Sequence, residues 1–417
     1  MRKGEFQTTL IEKTKLLYQF LNSHIASGKS TGKRSGFVLN LLNPKSAGRM
    51  GIGATSLALS MYGLIADADD PHVEEMQNLI LSKQLPNGSW TISPLLKSNL
   101  SLIYTTCFAL EALSFSENSN IQKVVDSGVQ WLQDRVNSDG GWGLTQKSPS
   151  HIHSTSEVLF LFSLYKGRLR SELFFNALNW LLDQRGDSNH WKDENNQPSL
   201  FYSALAYRGI MANGNYSDIL SNTKEMLYRA FRSAPCKENK SYFIEVGNQH
   251  LIESVHCYTQ AAIFAALSET HTSRQDSRLF GLANFYINNQ KGLGYWVCNE
   301  EPSEAPAFLN HYICFGLTNC LSNYRMDGSS ERFHEIRELF FSQPYLVIAL
   351  LILAILGLIY LAVLAPTIVG TSGSLVDFIN TYFEQFSGIS NFFEIVGIGG
   401  IGSIILYLIK RSRGNSQ

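Results

Sequence analysis

Charge imbalance is what this chain most plainly lacks: 34 basic and 35 acidic residues leave a formal net charge of −1, with no basic stripe. A surface that neutralises phosphates is therefore not expected, and nucleic acid drops out as a partner. No run of roughly ten apolar residues follows Met1-Arg2-Lys3-Gly4-Glu5, so the sequence predicts no secretory signal peptide. The six cysteines (107, 236, 257, 298, 314, 320) include no Cys-x-x-Cys and no disulfide-like spacing. They read as reduced, buried thiols of a cytosolic domain. The polar stretch from Ser27 to Ser35 contains Gly28-Lys29-Ser30 without the upstream glycine of a phosphate loop, which argues against that function too.

What the chain does have is a recurring turn. Phe285 to Trp296 reads as the end of a helix near Gln290, a turn holding Gly292 and Gly294, and a closing aromatic. A glycine past a helix end accepts the left-handed conformation, and the Trp can fold back on the helix it has left. Gln84-Leu85-Pro86-Asn87-Gly88-Ser89-Trp90 repeats the pattern Gln-x3-Gly-x-Trp in full. Partial copies end at Trp142, with Val136 at the Gln place, and at Trp191, with Arg185 for Gln and Asn189 for Gly. The four tryptophans are spaced 52, 49 and 105 residues apart. That period predicts a degenerate copy near Tyr242-Phe243 and another near Phe37, giving six helix–turn–helix units. Inner helices are expected to begin near Gly53, Ser101, Ser154, Phe201, Val255 and Phe308. Outer helices are expected over 5–26, 71–84, 120–136, 170–185, 217–233 and 277–290. The inner ones read apolar on nearly all faces, as helices packed on both sides do.

These turns resemble the QW motifs of the terpenoid cyclase and protein prenyltransferase superfamily, over roughly residues 5 to 325. The resemblance implies an all-α (α/α)6-type toroid of inner and outer helices, here residues 1–325. Beyond it the sequence predicts a linker helix over 326–343, a transmembrane hairpin over 344–410 and a basic tail over 411–417. Leu346 to Leu364 is an uninterrupted 19-residue apolar run, long enough to span a bilayer core. Ile395 to Ile409 is the shorter second span, and its Gly397, Gly399, Gly400 and Gly402 suit close helix contact, leaving a homo-oligomer through these helices open. Lys410, Arg411 and Arg413 follow the second span, whereas the intervening loop carries Asp377, Glu384 and Glu394 and no Lys or Arg. The positive-inside rule then puts the toroid and the C-terminus in the cytoplasm, with the lipid bilayer as a partner.

In this superfamily the working groups sit where inner helices begin. Asp67-Ala68-Asp69-Asp70 looks like a cyclase acid but precedes Pro71 and an outer helix, where acidic residues cap. The better-placed resemblance is His151-Ile152-His153-Ser154-Thr155-Ser156-Glu157-Val158-Leu159, which keeps the Thr and Val-Leu of the cyclase pattern but holds His151, His153 and Ser154 at its Asp positions. Candidate catalytic residues are therefore His153, Glu157 and His151, although histidine is a poor acid for protonating an alkene. Resemblance to the prenyltransferase metal site implies zinc on Cys257, His311 and His256, with Val255 standing where that family has Asp. No other cofactor is expected. Tyr104, Tyr202, Tyr258, Asn310 and Tyr312 are expected to line a cavity for an isoprenoid or another apolar ligand. Two functions follow from this: a membrane-anchored isoprenoid cyclase or transferase with degenerate motifs, or a non-enzymatic sensor that controls the two-helix membrane segment.

Overall fold

The structure, a computed structural model, describes residues 3–27, 35–42, 51–66, 70–92, 100–116, 118–186, 188–214, 216–246, 249–269 and 277–322. Six outer helices, α1 (Lys3–Ser23), α3 (Pro71–Leu81), α5 (Ser119–Gln133), α7 (Ser171–Asp183), α9 (Ser217–Ala230) and α11 (Ser277–Asn289), alternate along the chain with six inner ones. The inner helices are α2 (Ile52–Ile65), α4 (Ile103–Leu113), α6 (Ile152–Leu164), α8 (Leu200–Met211), α10 (Thr259–Ser268) and α12 (307–322). Every residue of α4 is buried, while α5 buries one side (Ile121, Val125, Val129, Leu132, with Trp131 and Gln133 near its end) and exposes Ser119, Lys123, Asp126 and Gln130 on the other. That contrast is the all-apolar versus amphipathic difference read from the sequence.

The turns explain why the units share one geometry. Each indole N–H donates to the carbonyl ten residues earlier: Trp90 to Ile80, Trp142 to Leu132, Trp191 to Leu181 and Trp296 to Tyr286, at 2.7–2.9 Å. Each Trp backbone N–H then donates to a side chain in the following inner helix, namely Thr106, Thr155, Ser203 and Asn310. Phe37 does the same toward Thr55 at 3.1 Å, so the unit expected upstream of Trp90 is present. Gly88, Gly140, Asn189 and Gly294 occupy one position in the turn, all with φ between 62° and 100°. Asn189 is tolerated there because a short amide side chain copes with the left-handed region better than most.

The glutamine ties neighbouring units together. Gln84 Nε2 donates to Gly88 O in its own turn and to Val124 O in the next outer helix. Gln290 donates to Gly294 O and, across 277 residues, to Lys13 O of α1. Arg185 plays the same part, with its guanidinium donating to Ile219 O of α9. The Gln290 bond closes the ring, together with backbone bonds from Ala307 N to Leu39 O and from Leu41 N to Ala305 O.

Four expectations need correction or fall elsewhere. The degenerate turn near Tyr242-Phe243 does not exist: Glu238–Val246 (β5) and Gln249–Cys257 (β6) form an antiparallel hairpin with Tyr242 opposite Glu253. Strand β6 runs to Cys257, so the fifth inner helix begins at Thr259 rather than near Val255. Two of the six cysteines, Cys236 and Cys298, are disulfide-bonded, because consecutive units bring their turns side by side; Cys107, Cys257, Cys314 and Cys320 are free and buried as expected. The linker, both spans and the basic tail lie outside the described residues, among which no helix is long and apolar enough to cross a membrane. Shorter ribbons pair β1 (Ala26–Ser27) with β2 (Ser35–Gly36) and β3 (Trp191–Lys192) with β4 (Pro198–Ser199). The long hairpin occupies the same place in its unit as β3–β4 does in the one before, between outer-helix turn and inner helix.

Candidate functional site

Because every turn hands the chain to an inner helix at the same end, the first residues of α4, α6 and α8 meet around the axis. Tyr104 stacks on His153 with ring centroids 5.4 Å apart, and His151 and Phe201 approach edge-on to Tyr202 and His153. The β5–β6 hairpin lies over this group. Its Tyr242 is fully buried, with the hydroxyl 2.8 Å from His153 Nδ1 and 3.4 Å from Tyr202 Oη. Tyr104 donates to Glu253 on the opposite strand, and Lys240 pairs with Asp193 at 2.8 Å. His151 caps α6 by accepting from His153 N, and its Nε2 lies 2.7 Å from Glu194, which also accepts from Tyr202. Burial pushes the Glu194 carboxyl up, but the His151 and Tyr202 hydrogen bonds outweigh it and leave Glu194 at about 2. Burial drives His153 the other way, helped by His151, to about 3, so this imidazole is neutral at ordinary pH.

One turn below, a second group occupies the axis. Arg208 of α8 is buried with its guanidinium against the Phe160 and Phe315 rings, 3.6 and 4.3 Å from their centroids. Three carboxylates face it: Glu111 at 3.6 Å, Glu157 at 4.0 Å and Glu269 at 3.9 Å. His311 reaches Glu111 at 3.0 Å. Gly209 makes the placement possible, since a Cβ there would stand 2.5 Å from Ser156 O, and α8 packs close enough on α6 to set Arg208 beside Glu157. One cation for three buried carboxyls means that not all ionise. Burial raises Glu157 and Glu269 to about 7 each, whereas His311 and Arg208 overcome burial at Glu111 and hold it below its ordinary value. Glu157 Oε1, 3.9 Å from His153 Nε2, has no hydrogen-bond partner among the described residues, and neither does that ring nitrogen. A carboxyl that holds its proton up to about pH 7 therefore sits directly under the histidine–tyrosine group.

The expected site residues thus do not form one group. His151, His153, Tyr104 and Tyr202 converge at the end of the ring, and Glu157 sits below with Tyr312, whose hydroxyl is pushed up by burial and by Glu157. Asn310 is spent on Trp296, accepting from its N–H and donating to its carbonyl. Tyr258 lies near Glu301 and Glu304, and burial pushes its hydroxyl up. The three residues expected on zinc do not come together: His256 is exposed and bonded to Asn239, Cys257 is buried beside Val255 O, and His311 belongs to Glu111. Among the described residues the set of three metal-type ligand atoms within 4.8 Å is Cys236, Cys298 and Glu300, two of them in the disulfide. Asp70 caps α3 with its carboxylate on His72 N, so it is a cap and not an acid of the axis. The sequence reading missed Tyr242, Glu253, Glu194, Arg208, Glu111 and Glu269. A charge inside an all-apolar helix was the available signal for Arg208 and Glu111.

Comparison with known proteins agrees with the helical toroid. Residues 50–209 match the squalene-hopene cyclase C-terminal domain. No curated protein matches. Among solved structures, a variant of the type II terpene cyclase MstE from Scytonema, bound to its substrate geranylgeranyl dihydroxybenzoate, superposes with a TM-score of 0.50 at 11% identity, over 76% of this chain and 99% of that one. A family 76 glycoside hydrolase from a bovine Bacteroides thetaiotaomicron strain gives 0.51 at 10% identity over 76% and 78%. A novel alpha-amylase from Clostridium perfringens gives 0.50 at 10% over 74% and 97%. Such likenesses establish the fold and not the chemistry, which differs widely among these proteins. The described helices form a terpenoid-cyclase-like α/α toroid, and its squalene-hopene cyclase-like stretch runs from the first inner helix into the fourth.

Proposed function

We propose that the toroid is a gated binding chamber for an isoprenoid-like apolar ligand, attached by the 344–410 hairpin to the cytoplasmic face of a bilayer. The observation that carries this reading is Tyr242: a hairpin side chain, fully buried, occupies the aromatic end of the ring and bonds to His153. Tyr104, Phe108, Phe201 and Phe308 around it offer the π faces that an unsaturated chain packs against. The geranylgeranyl group held by the MstE relative is a ligand of this kind. Binding then requires the hairpin to withdraw, and its withdrawal is the signal passed to the membrane segment.

Catalysis is the second reading, and Glu157 is the observation that favours it. A buried carboxyl that keeps its proton up to about pH 7 is a stored proton. Its value of about 7 nevertheless makes it a weaker acid than an ordinary carboxyl, and His153 at about 3 carries no proton to give at neutral pH. The axis is thus better suited to holding an alkene than to protonating one.

The test uses the full chain in mild detergent with geranylgeraniol, squalene and an oligoprenyl diphosphate. Native mass spectrometry reads retention, and gas chromatography reads product. Gated binding predicts that Tyr242→Ala retains geranylgeraniol where wild type does so weakly, with no product from either. A cyclised product that disappears in Glu157→Gln would establish the catalytic reading instead. No retention by a Tyr242→Ala variant that still melts cooperatively would end the chamber reading.

A further inference from the structure

Beside the chamber, the base of the hairpin is fastened covalently. Cys236 stands two residues before β5, and Cys298 two residues after Trp296 of the last unit; the disulfide joins them with Cα atoms 5.8 Å apart. Lys237, next in sequence, pairs with both carboxylate oxygens of Glu301 at 2.6 and 2.7 Å, reinforcing the same joint. Among the described residues the hairpin is also held by side-chain bonds from Lys240 to Asp193, Tyr104 to Glu253 and Thr259 to Glu238, and by those of Tyr242 with His153 and Tyr202.

The two cysteines differ in burial. Cys298 is buried, whereas Cys236 is half-buried and lines a surface cleft with Gln260, Asn289, Lys291 and Asn299. The four other cysteines are buried, and burial pushes all their thiols up, so none offers a thiolate to reshuffle the bond. The pair is therefore isolated from internal exchange and open to an external partner at one sulfur. A disulfide on the cytoplasmic side of a membrane is typically transient or redox-sensing and not structural.

We propose that Cys236–Cys298 is a reversible redox site whose co-reactant is a protein dithiol reductant, and that its reduction releases the hairpin over the chamber. The thiolate of the reductant attacks Cys236 Sγ, and Cys298 leaves as a thiolate that takes up a proton. The second thiol of the reductant then displaces Cys236, so the reductant ends as a disulfide and both cysteines end as thiols. This inference rests on the cytoplasmic placement proposed above and on the hairpin being the closure of the chamber.

The experiment compares full-length protein, oxidised and after treatment with reduced thioredoxin under native conditions. Mass shift with maleimide counts thiols, and hydrogen exchange is followed across 238–257. Expected are two new thiols and a rise of about tenfold or more in hairpin exchange, with α4 and α6 unchanged, as local opening gives. Cys236→Ser/Cys298→Ser should show the fast exchange with or without reductant. Thioredoxin failing to reduce the pair, or hairpin exchange staying within about twofold after reduction, overturns the proposal. Faster exchange with no uptake of geranylgeraniol in either state would leave the redox site standing and sink the chamber reading.

Discussion

The closing turn of the ring offers the sharpest test of the fold. Gly294 has φ of +100°, and a Cβ built on it would stand closer than 3.0 Å to the Leu16 carbonyl of α1. Replacing it with alanine combines two penalties. The left-handed backbone costs a side chain roughly 1–3 kcal/mol. The overlap costs roughly another 1–3 kcal/mol, because its partner is a helix backbone held by buried Leu10, Leu17, Phe20 and Leu21 and cannot rotate away. If α1 retreats, the Gln290–Lys13 bond goes as well, at about 1 kcal/mol. Gly294→Ala should therefore lose roughly 3–7 kcal/mol, a large share of a domain's stability. Two controls separate the terms. Gly167→Ala has φ of +83° in open space and should lose about 1 kcal/mol from strain alone. Gly292→Ala, with no positive φ and nothing within 4 Å, should stay within about 0.5 kcal/mol of wild type. Urea midpoints by tryptophan fluorescence, on the full chain in mild detergent, read all three. If Gly294→Ala melts with Gly292→Ala, the close approach of this turn to α1 is not what shuts the ring.

Other consequences are simpler. Trp142→Phe removes the indole bond to Leu132 and leaves a buried gap, costing about 2–4 kcal/mol, whereas Trp180→Phe, whose bond goes to the exposed Asp139, should cost less than about 1 kcal/mol by the same denaturation. Arg208→Met should destabilise by about 3–5 kcal/mol, since Glu111, Glu157 and Glu269 lose their shared cation, and adding Glu111→Gln should recover part of it. Glu157 has a folded value of about 7 against 4.5 unfolded, so between those values the unfolded chain binds fewer protons and stability falls as pH rises, by on the order of 3 kcal/mol in total. The Glu157→Gln advantage in Tm should accordingly grow from pH 5 to pH 8, and parallel curves would contradict the assignment. His153 runs oppositely: held at about 3 against 6.5 unfolded, it withdraws stability as pH falls through that window.

The legible parts of this protein were the local ones. Trp90, Trp142, Trp191 and Trp296 sit in sequence contexts that carry their own turn chemistry, so the period alone located five of six units, including the one marked only by Phe37. The sixth failed because a gap of two periods was filled with an expected turn, although Glu238 to Cys257 shows alternation on either side of Gly247-Asn248, with Tyr242 and Ile244 buried between exposed Phe243 and Glu245. His153, Tyr104 and Tyr202 were visible as polar and aromatic residues at inner-helix starts. The Arg208 group was not, since Glu111, Glu157, Glu269 and His311 come from four other helices or their ends, and only ring closure assembles them. The disulfide had no local signature either: its 62-residue separation becomes proximity only when consecutive units stack.

The bond from Gln290 to Lys13 also sets a schedule for the ribosome. The first helix can pack on α2 early, but its Phe6 and Phe20 wait for Phe280 and Tyr295, nearly three hundred residues downstream. At roughly 5–20 residues per second, that part of its apolar face stays unsatisfied for roughly 15–60 seconds. An arc that grows unit by unit but cannot shut until the sixth arrives exposes both of its raw edges throughout synthesis. Nascent chains stopped short of residue 290 should therefore be the species that chaperones hold.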